Sequence, residues 1–238
     1  MRNLFQGQFS IKVDTSACKS IIADYDIKLN DTWYYSDQSF ESGKIYGLVS
    51  EYGQGGMYLS HLLGGKVDFQ NVKIYCNDHL LSQDELNNTA WDLEPYGTSY
   101  GNKTVRRSIE KALLHNSCEE TFQTIADRFL LTPERYDRKF KWLSGERWRA
   151  SAAFGYAQNK KVFYAPYNPS NFYYQMCQSG LLKALRELTD HGAVVILPTG
   201  SDEFIKHIAD EVIFLNRKYD MESLRLFYSQ QYNRDWIR

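Results

Sequence analysis

No apolar run in this 238-residue chain approaches the ~20 residues of a membrane-spanning helix. The opening Met1-Arg-Asn-Leu-Phe-Gln6 also lacks the apolar core of a signal peptide. These absences point to a soluble, cytosolic chain without direct membrane insertion. Cysteine is scarce: Cys18, Cys76, Cys118 and Cys177 stand far apart with no CxxC spacing, which reads as reduced thiols in core or surface positions. The five histidines are equally scattered and exclude a zinc site of ordinary ligand spacing. An excess of one charge is missing too, with 28 Lys and Arg against 29 Asp and Glu, so nothing global points to nucleic acid or an anionic membrane. A sharper absence is local. Between Arg147 and Arg186 there is no Asp or Glu at all. Magnesium needs hard oxygen ligands and activation of water needs a positioned proton acceptor, so this stretch can supply neither.

What the chain has in surplus is aromatic surface: 15% of its residues, 18 of them tyrosine. Tyrosine joins a large apolar body to one polar tip and is common at buried contacts. The length suits one α/β domain with a full core. Phe9–Val13, Ile21–Leu29 and Trp33–Tyr35 are rich in β-formers, with Asn30-Asp31 as a turn between the last two. Lys44–Val49 reads as a buried strand, Gln54–Leu63 as the helix after its loop, and Val72–Cys76 as a short strand. From Ser82 to Leu131 the pattern is helical, with Val105, Ile109, Leu113 and Leu114 on one face and Ser117-Cys-Glu-Glu120 as a capping box opening Thr121–Leu131. Thr132-Pro133 reads as a cap and first-turn proline. The remainder alternates: helix Ser144–Gln158, strand Val162–Ala165, helix Phe172–His191, strand Ala193–Leu197, helix Asp202–Ala209, strand Val212–Leu215 and helix Met221–Gln230. Such alternation predicts βαβ units and a parallel sheet, with a helical insertion between the two halves.

Several weak motifs fall in one order. Gly47-Leu-Val-Ser-Glu-Tyr-Gly-Gln-Gly-Gly-Met57 is a glycine-rich turn between strand and helix. Leu143-Ser-Gly-Glu-Arg-Trp-Arg-Ala150 opens a helix, Gln158-Asn-Lys-Lys-Val-Phe-Tyr-Ala165 leads into a strand, and Val194-Val-Ile-Leu-Pro-Thr-Gly200 is a strand with its turn. Ile208-Ala-Asp-Glu-Val-Ile-Phe-Leu-Asn-Arg217 follows. Over roughly residues 40–217 this succession resembles the nucleotide-binding subunit of ABC transporters. The resemblance implies a single domain over 1–238 with a P-loop NTPase-like (RecA-like), mostly parallel sheet. An N-terminal antiparallel β portion lies in residues 1–80, a helical insertion in 81–142, and the rest of the core in 143–238.

The resemblance also locates the departures. A phosphate loop holds phosphate on backbone N–H groups, a lysine ammonium and a magnesium-binding hydroxyl. Here Ser50 stands at the first glycine position and Gly53 and Gly55 are kept, while Gly56 replaces the lysine and Met57 the hydroxyl. Either a weak anion site or a glycine-rich turn without a ligand fits these residues. Pro166 and Tyr167 stand near the place of the magnesium-binding aspartate and the catalytic glutamate. Glu94 falls near the place of the magnesium-sensing glutamine, and Gly200 at that of the switch histidine. The signature-like motif has two registers: a gapless match sets Leu143 at the family's serine and Ser144 at its first glycine, whereas keeping Ser144 as the serine deletes one glycine. Gly145 and Glu146 follow. Its two readings are a helix start offered to a partner's ATP, or a Ser-capped helix with Glu146 and Arg149 in solvent.

These departures imply a degenerate, catalytically inactive subunit that pairs with an ATP-competent second ABC subunit or a transmembrane permease. It would sit peripherally on the inner face of the cell membrane, with no nucleic-acid partner. ATP would be bound weakly or shared, magnesium would not be held by this chain alone, and no residue of the chain is a catalytic candidate. Docking on a permease would involve Glu94–Lys103, with Tyr96 and Tyr100 at the contact. The competing expectation is an active ATPase with displaced residues, drawing cations from Lys44, Lys66 or Lys103 and carboxylates from Glu94, Asp202 or Glu203. A regulatory homodimer is the third.

Overall fold

The computed structural model describes residues 4–5, 7–17, 37–50, 56–67, 72–94, 96, 98–116 and 119–215. The strands expected at Ile21–Leu29 and Trp33–Tyr35, the helix at Met221–Gln230, and Gly53 and Gly55 of the glycine-rich turn lie outside these residues.

Two sheets organise the described chain. Strand β1 (Ser10–Asp14) pairs antiparallel with β2 (Gln38–Glu41) on one side and β4 (Lys73–Cys76) on the other, and β5 (His79–Leu80) completes the sheet. The second sheet is wholly parallel. Its order is β6 (Ala90–Asp92), β7 (Val162–Tyr164), β8 (Val194–Thr199), β3 (Ile45–Val49) and β9 (Glu211–Phe214). Successive residues of a strand face opposite sides, and here both sides are covered. Tyr46, Leu48, Val162, Tyr164, Val194 and Ile196 meet helix α1 (Gly56–Leu63) and the antiparallel sheet in one core. Ile45, Val49, Phe163, Val195 and Leu197 belong to the other core, with the helices. Double coverage is why these strands read as continuous apolar runs rather than alternating ones.

Short helix α2 (Gln83–Thr89) carries a capping box between Ser82 and Glu85. Between β6 and β7 come α3 (Val105–His115), α4 (Phe122–Arg128), three short 3-10 turns and α5 (Arg147–Ala157). Strand β6 is thus a core strand inside the 82–131 stretch expected to be helical. Three residues are too few to show a period, and only pairing with β7 defines them. Ser117 and Cys118 of the capping box expected to open α4 lie outside the described residues, and the cap seen directly before α4 is a different one. Thr121 is the N-cap, its side chain accepting from Thr124 N–H, while Glu120 turns away to Arg128 and Tyr156. Pro133 does open a helical turn, a 3-10 one over Pro133–Arg135.

The expected helix Phe172–His191 is two helices, α6 (Ser170–Gln178) and α7 (Leu181–Asp190), broken at Gly180, whose φ of +88° only glycine adopts freely. The expected helix Asp202–Ala209 shrinks to the 3-10 turn Ile205–His207. Cys76 and Cys177 are free thiols, and burial pushes each up to about 11, which leaves them protonated and unreactive.

Candidate functional site

The carboxyl ends of β3, β7 and β8 meet at one edge of the parallel sheet, where open α/β sheets bind their ligands. Ser50 follows β3, and its N–H donates to Thr199 O at the end of β8 (3.0 Å). Helix α1 starts at Gly56. The carboxylate-free stretch after β7 is bound onto the same edge. Ala165 N–H donates to Ile196 O (3.1 Å), Asn168 N–H to Pro198 O (3.2 Å), and the buried Tyr173 hydroxyl reaches Pro198 O (3.1 Å). Ser60 of α1 donates its hydroxyl to Ala165 O (2.7 Å), fixing α1 against the end of β7. Ser170 and Ser201 hydroxyls pair at 2.8 Å.

Within this frame the substituted positions interlock. A Cβ at Gly56 would overlap Ser50 Oγ and lie 3.8 Å from Pro198 Cβ. Ser50 itself is only 4% exposed, so its hydroxyl already fills the space where a lysine at 56 would begin. A Cβ at Gly200 would overlap the Tyr167 hydroxyl, and that hydroxyl donates to Ser50 O (3.4 Å). Four positions from three separate parts of the sequence, 50 and 56, 167 and 200, therefore close one cluster. Met57 is buried in the first turn of α1, so its thioether belongs to packing rather than to ligation.

Two hydroxyls in this region, Ser50 Oγ and Thr199 Oγ1, are buried without a hydrogen-bond partner among the described residues. They are neutral and replace neither an ammonium nor a carboxylate. Among the described residues no group of three His, Cys, Asp or Glu side chains is placed to hold a metal ion. The side chains at 56, 57 and 200 supply no ammonium, hydroxyl or imidazole to a magnesium-bound triphosphate, and Tyr167 occupies the ground in front of Gly200.

Glu94 is drawn elsewhere. Its Oε2 accepts from Arg147 Nη2 (3.0 Å) and from the Trp148 indole N–H (2.9 Å), and Tyr96 N–H donates to Oε1 (3.0 Å). Arg147 lies over the Tyr96 ring at 4.2 Å. The residue thus ties the 92–98 segment to the start of α5 and has little capacity left for a metal. Of the two tyrosines expected at a contact, Tyr96 is 58% exposed, whereas Tyr100 is buried against Trp91 and Phe154.

At the signature-like motif, Leu143 is buried while Ser144 and Gly145 are exposed. Ser144 has a left-handed φ of +43°, and α5 begins only at Arg147, with no side-chain cap. The Ser-capped, solvent-facing reading is therefore wrong. Glu146 is 3% exposed and is held by Thr132 N–H and Oγ (both 2.7 Å) and by Arg135 (3.3 Å). It anchors the start of α5 to the 132–135 turn and is a structural residue. What faces outward here is Trp142 (61% exposed), Ser144 and Gly145.

Of the displaced residues offered for an active enzyme, Glu203 lines a shallow pocket with Tyr167 and Gly200 beside the Ser50 cluster, whereas the lysines are engaged or lie elsewhere. Lys44 is engaged with Glu41 and Glu211, which hold its ammonium well above its ordinary range. Lys66 and Lys103 line grooves beside Trp91 and Tyr100, away from the Ser50 cluster.

Sequence reasoning missed the roles of Tyr167 and Arg147, for which no local pattern exists. It also missed a row of cations, for which the signal was present: Lys103 just before α3 and Arg107, Lys111 and His115 on it recur every four residues.

No model of a protein family and no curated protein matches the chain. Its three-dimensional structure is similar to several solved ones. CbiO1 from Clostridium perfringens, part of the ABC transporter complex cbiONQ, superposes with a TM-score of 0.66 at 14% identity, over 87% of this chain and 84% of that one. An ATP-binding cassette of an ABC transporter in its ADP conformation gives 0.61 at 12% identity, over 87% of each chain. A Pyrococcus furiosus protein described as an ABC transporter ATP-binding protein also gives 0.61 at 12% identity, over 87% of this chain and 97% of that one. The chain shares the fold of these ATP-binding cassettes: a parallel core sheet with an antiparallel sheet and a helical insertion.

Proposed function

We propose that this chain is an ATP-binding-cassette subunit of a transporter that does not hydrolyse ATP at its own phosphate loop and acts beside a competent partner subunit, a membrane permease, or both. The observation that carries this reading is the interlocked cluster at the carboxyl edge of the sheet. Ser50 excludes a side chain at 56, and Tyr167 excludes one at 200. The losses are therefore accommodated by packing, as expected of a site given over to structure.

A role in trans is supported by what stays exposed. Trp142, Ser144 and Gly145 lie beside the start of α5, whose first turn carries Arg147 and Arg149 and no acid. A helix N-terminus favours an anion presented from outside, although here Arg147 N–H already donates to Ser144 O and the Arg147 side chain is paired with Glu94. No described helix is long and apolar enough to cross a membrane, so attachment to a membrane would run through a permease. Exposed Tyr96, in the 94–103 segment, is the contact expected there.

Calorimetry of the purified chain with Mg-ATP tests the reading. We expect no micromolar binding, and turnover far below the ~1–10³ per second of ordinary enzymes. Micromolar binding abolished by chelating magnesium, or turnover in that range, would show an active ATPase instead.

A further inference from the structure

A pocket of about 590 Å³ opens along β6, the outer strand of the parallel sheet. Its size falls within the ~300–1,000 Å³ of small-molecule sites. Asp92 and Tyr164 line it, the last residues of β6 and β7, and they pair across the two strands. Partners in a parallel pair set their side chains on one face of the sheet. Tyr164 belongs to the core with α1, so that face is the one away from α3 and α5. Lys66, just past α1, Asn87 of α2, and Lys160 before β7 complete the polar lining. The pocket is separate from the Ser50 cluster and from the signature-like motif.

Its polar groups are left with unused capacity. Asp92 Oδ1 accepts from Glu94 N–H (2.9 Å), while Oδ2 has no partner among the described residues. The Tyr164 hydroxyl is buried without a partner among them, although its ring is only 1% exposed. Lys160 Nζ donates to Asn88 O (2.5 Å), and neither Lys160 nor Lys66 has an ion pair with an acid among the described residues. The two ammoniums repel each other: burial, and then the charge of Lys66, hold Lys160 below its ordinary range.

An anion seated between Lys66 and Lys160 would relieve that repulsion, and a divalent one would relieve it most. The other end of the pocket asks for something else. Burial pushes the Asp92 carboxyl up to about 6, so it holds its charge weakly, and Lys66 lies within electrostatic reach of it. A ligand ammonium at Asp92 would therefore meet a weak counter-charge and a competing cation. A hydroxyl meets neither objection, since it donates to Oδ2 whatever its charge. The Asn87 amide offers a second group of the same kind.

We infer that this pocket binds a small polyhydroxylated phosphate monoester, a ligand of the sugar-phosphate class. Its phosphate lies between Lys66 and Lys160, and a hydroxyl donates to Asp92 Oδ2. The chemistry follows from the pocket alone and does not depend on the function proposed above.

Calorimetry of the full chain tests it with ribose 5-phosphate, glucose 6-phosphate and glycerol 3-phosphate, set against inorganic phosphate and unphosphorylated glucose. At least one ester should bind with a Kd below about 1 mM and about tenfold tighter than inorganic phosphate, with no binding of glucose at about 10 mM. Lys66→Ala removes a charge-assisted contact and should weaken ester and inorganic phosphate alike, by about tenfold. Asp92→Asn should weaken the ester about tenfold and leave inorganic phosphate within about twofold, a split that a merely structural role would not give. Lys73→Ala, on the distant antiparallel sheet, should change neither. Lys66 and Lys73 are exposed, and a thermal melt checks that each variant is folded.

Failure of all three esters to bind at about 10 mM, binding no tighter than that of inorganic phosphate, or equal effects of Asp92→Asn on both anions overturns the inference. Tighter binding of adenosine 5′-phosphate than of ribose 5-phosphate overturns it in favour of a nucleotide, and tighter binding of glutamate in favour of an amino acid. Turnover of Mg-ATP would defeat the function proposed above without touching these measurements, so the two fail separately.

Discussion

A side chain at position 56 would press on Ser50 Oγ and also meet Pro198, and Ser50 is itself nearly enclosed. Restoring the lysine of a phosphate loop is therefore not a single-residue change. Gly56→Lys alone should destabilise the chain by about 1–3 kcal/mol through overpacking. Combining it with Ser50→Gly should recover part of that loss, with a coupling of at least about 0.5 kcal/mol in a double-mutant cycle read by chemical denaturation. Additive behaviour of the two substitutions would refute the interlock. Asp92 offers a second test. Burial pushes its carboxyl up to about 6, opposed by the hydrogen bond from Glu94 N–H and by nearby Lys66. The folded state holds this proton more tightly than the unfolded chain does. Its contribution is thus fully present below about pH 4 and is lost as pH rises through about 6. Asp92→Asn keeps an oxygen for Glu94 N–H and removes the penalty. The variant should be more stable than the parent by about 1–3 kcal/mol at pH 7.5, with the difference vanishing near pH 4.

At the scale of elements, α5 is held by close approach. A Cβ at Gly155 would come within 2.6 Å of the rings of Phe163 on β7 and Trp91 on β6. Glycine inside a helix is unfavourable by about 1 kcal/mol relative to alanine, yet here it lets the helix lie against two core strands. Gly155→Ala should therefore destabilise the protein by about 1–3 kcal/mol despite the gain in helix propensity, measured by urea denaturation. A stabilised variant would mean that the helix has room to move away. The N-terminus of the same helix is fixed by Glu146 and by the Glu94–Arg147–Trp148 contacts. Both ends of α5 are thus set by residues outside it, which explains why its own sequence carries no capping signal.

At the scale of the molecule, the parallel sheet is shared by two cores, one with α1 and the antiparallel sheet and one with the helices. The stability lost in Gly155→Ala should consequently appear as a shift of one transition, the same by tryptophan fluorescence and by circular dichroism. The strand–helix alternation from residue 144 to 199 was legible in the chain because it rests on local periodicity. So were the losses at Gly56, at Met57 and across the carboxylate-free stretch from Arg147 to Arg186, because an ammonium, a metal-ligating hydroxyl or a carboxylate is present or absent in a residue's identity. Strand β6, the break at Gly180 and the burial of Glu146 were not legible, since each is decided by partners remote in sequence. The same holds for the cluster that gives the losses their meaning. Tyr167 meets Ser50 across 117 positions only because β7, β8 and β3 lie side by side with their carboxyl ends together. By itself the sequence determined which chemical groups this protein lacks; the tertiary structure alone decided that neighbouring side chains fill their places, because side-chain volume is contested in space and not along the chain.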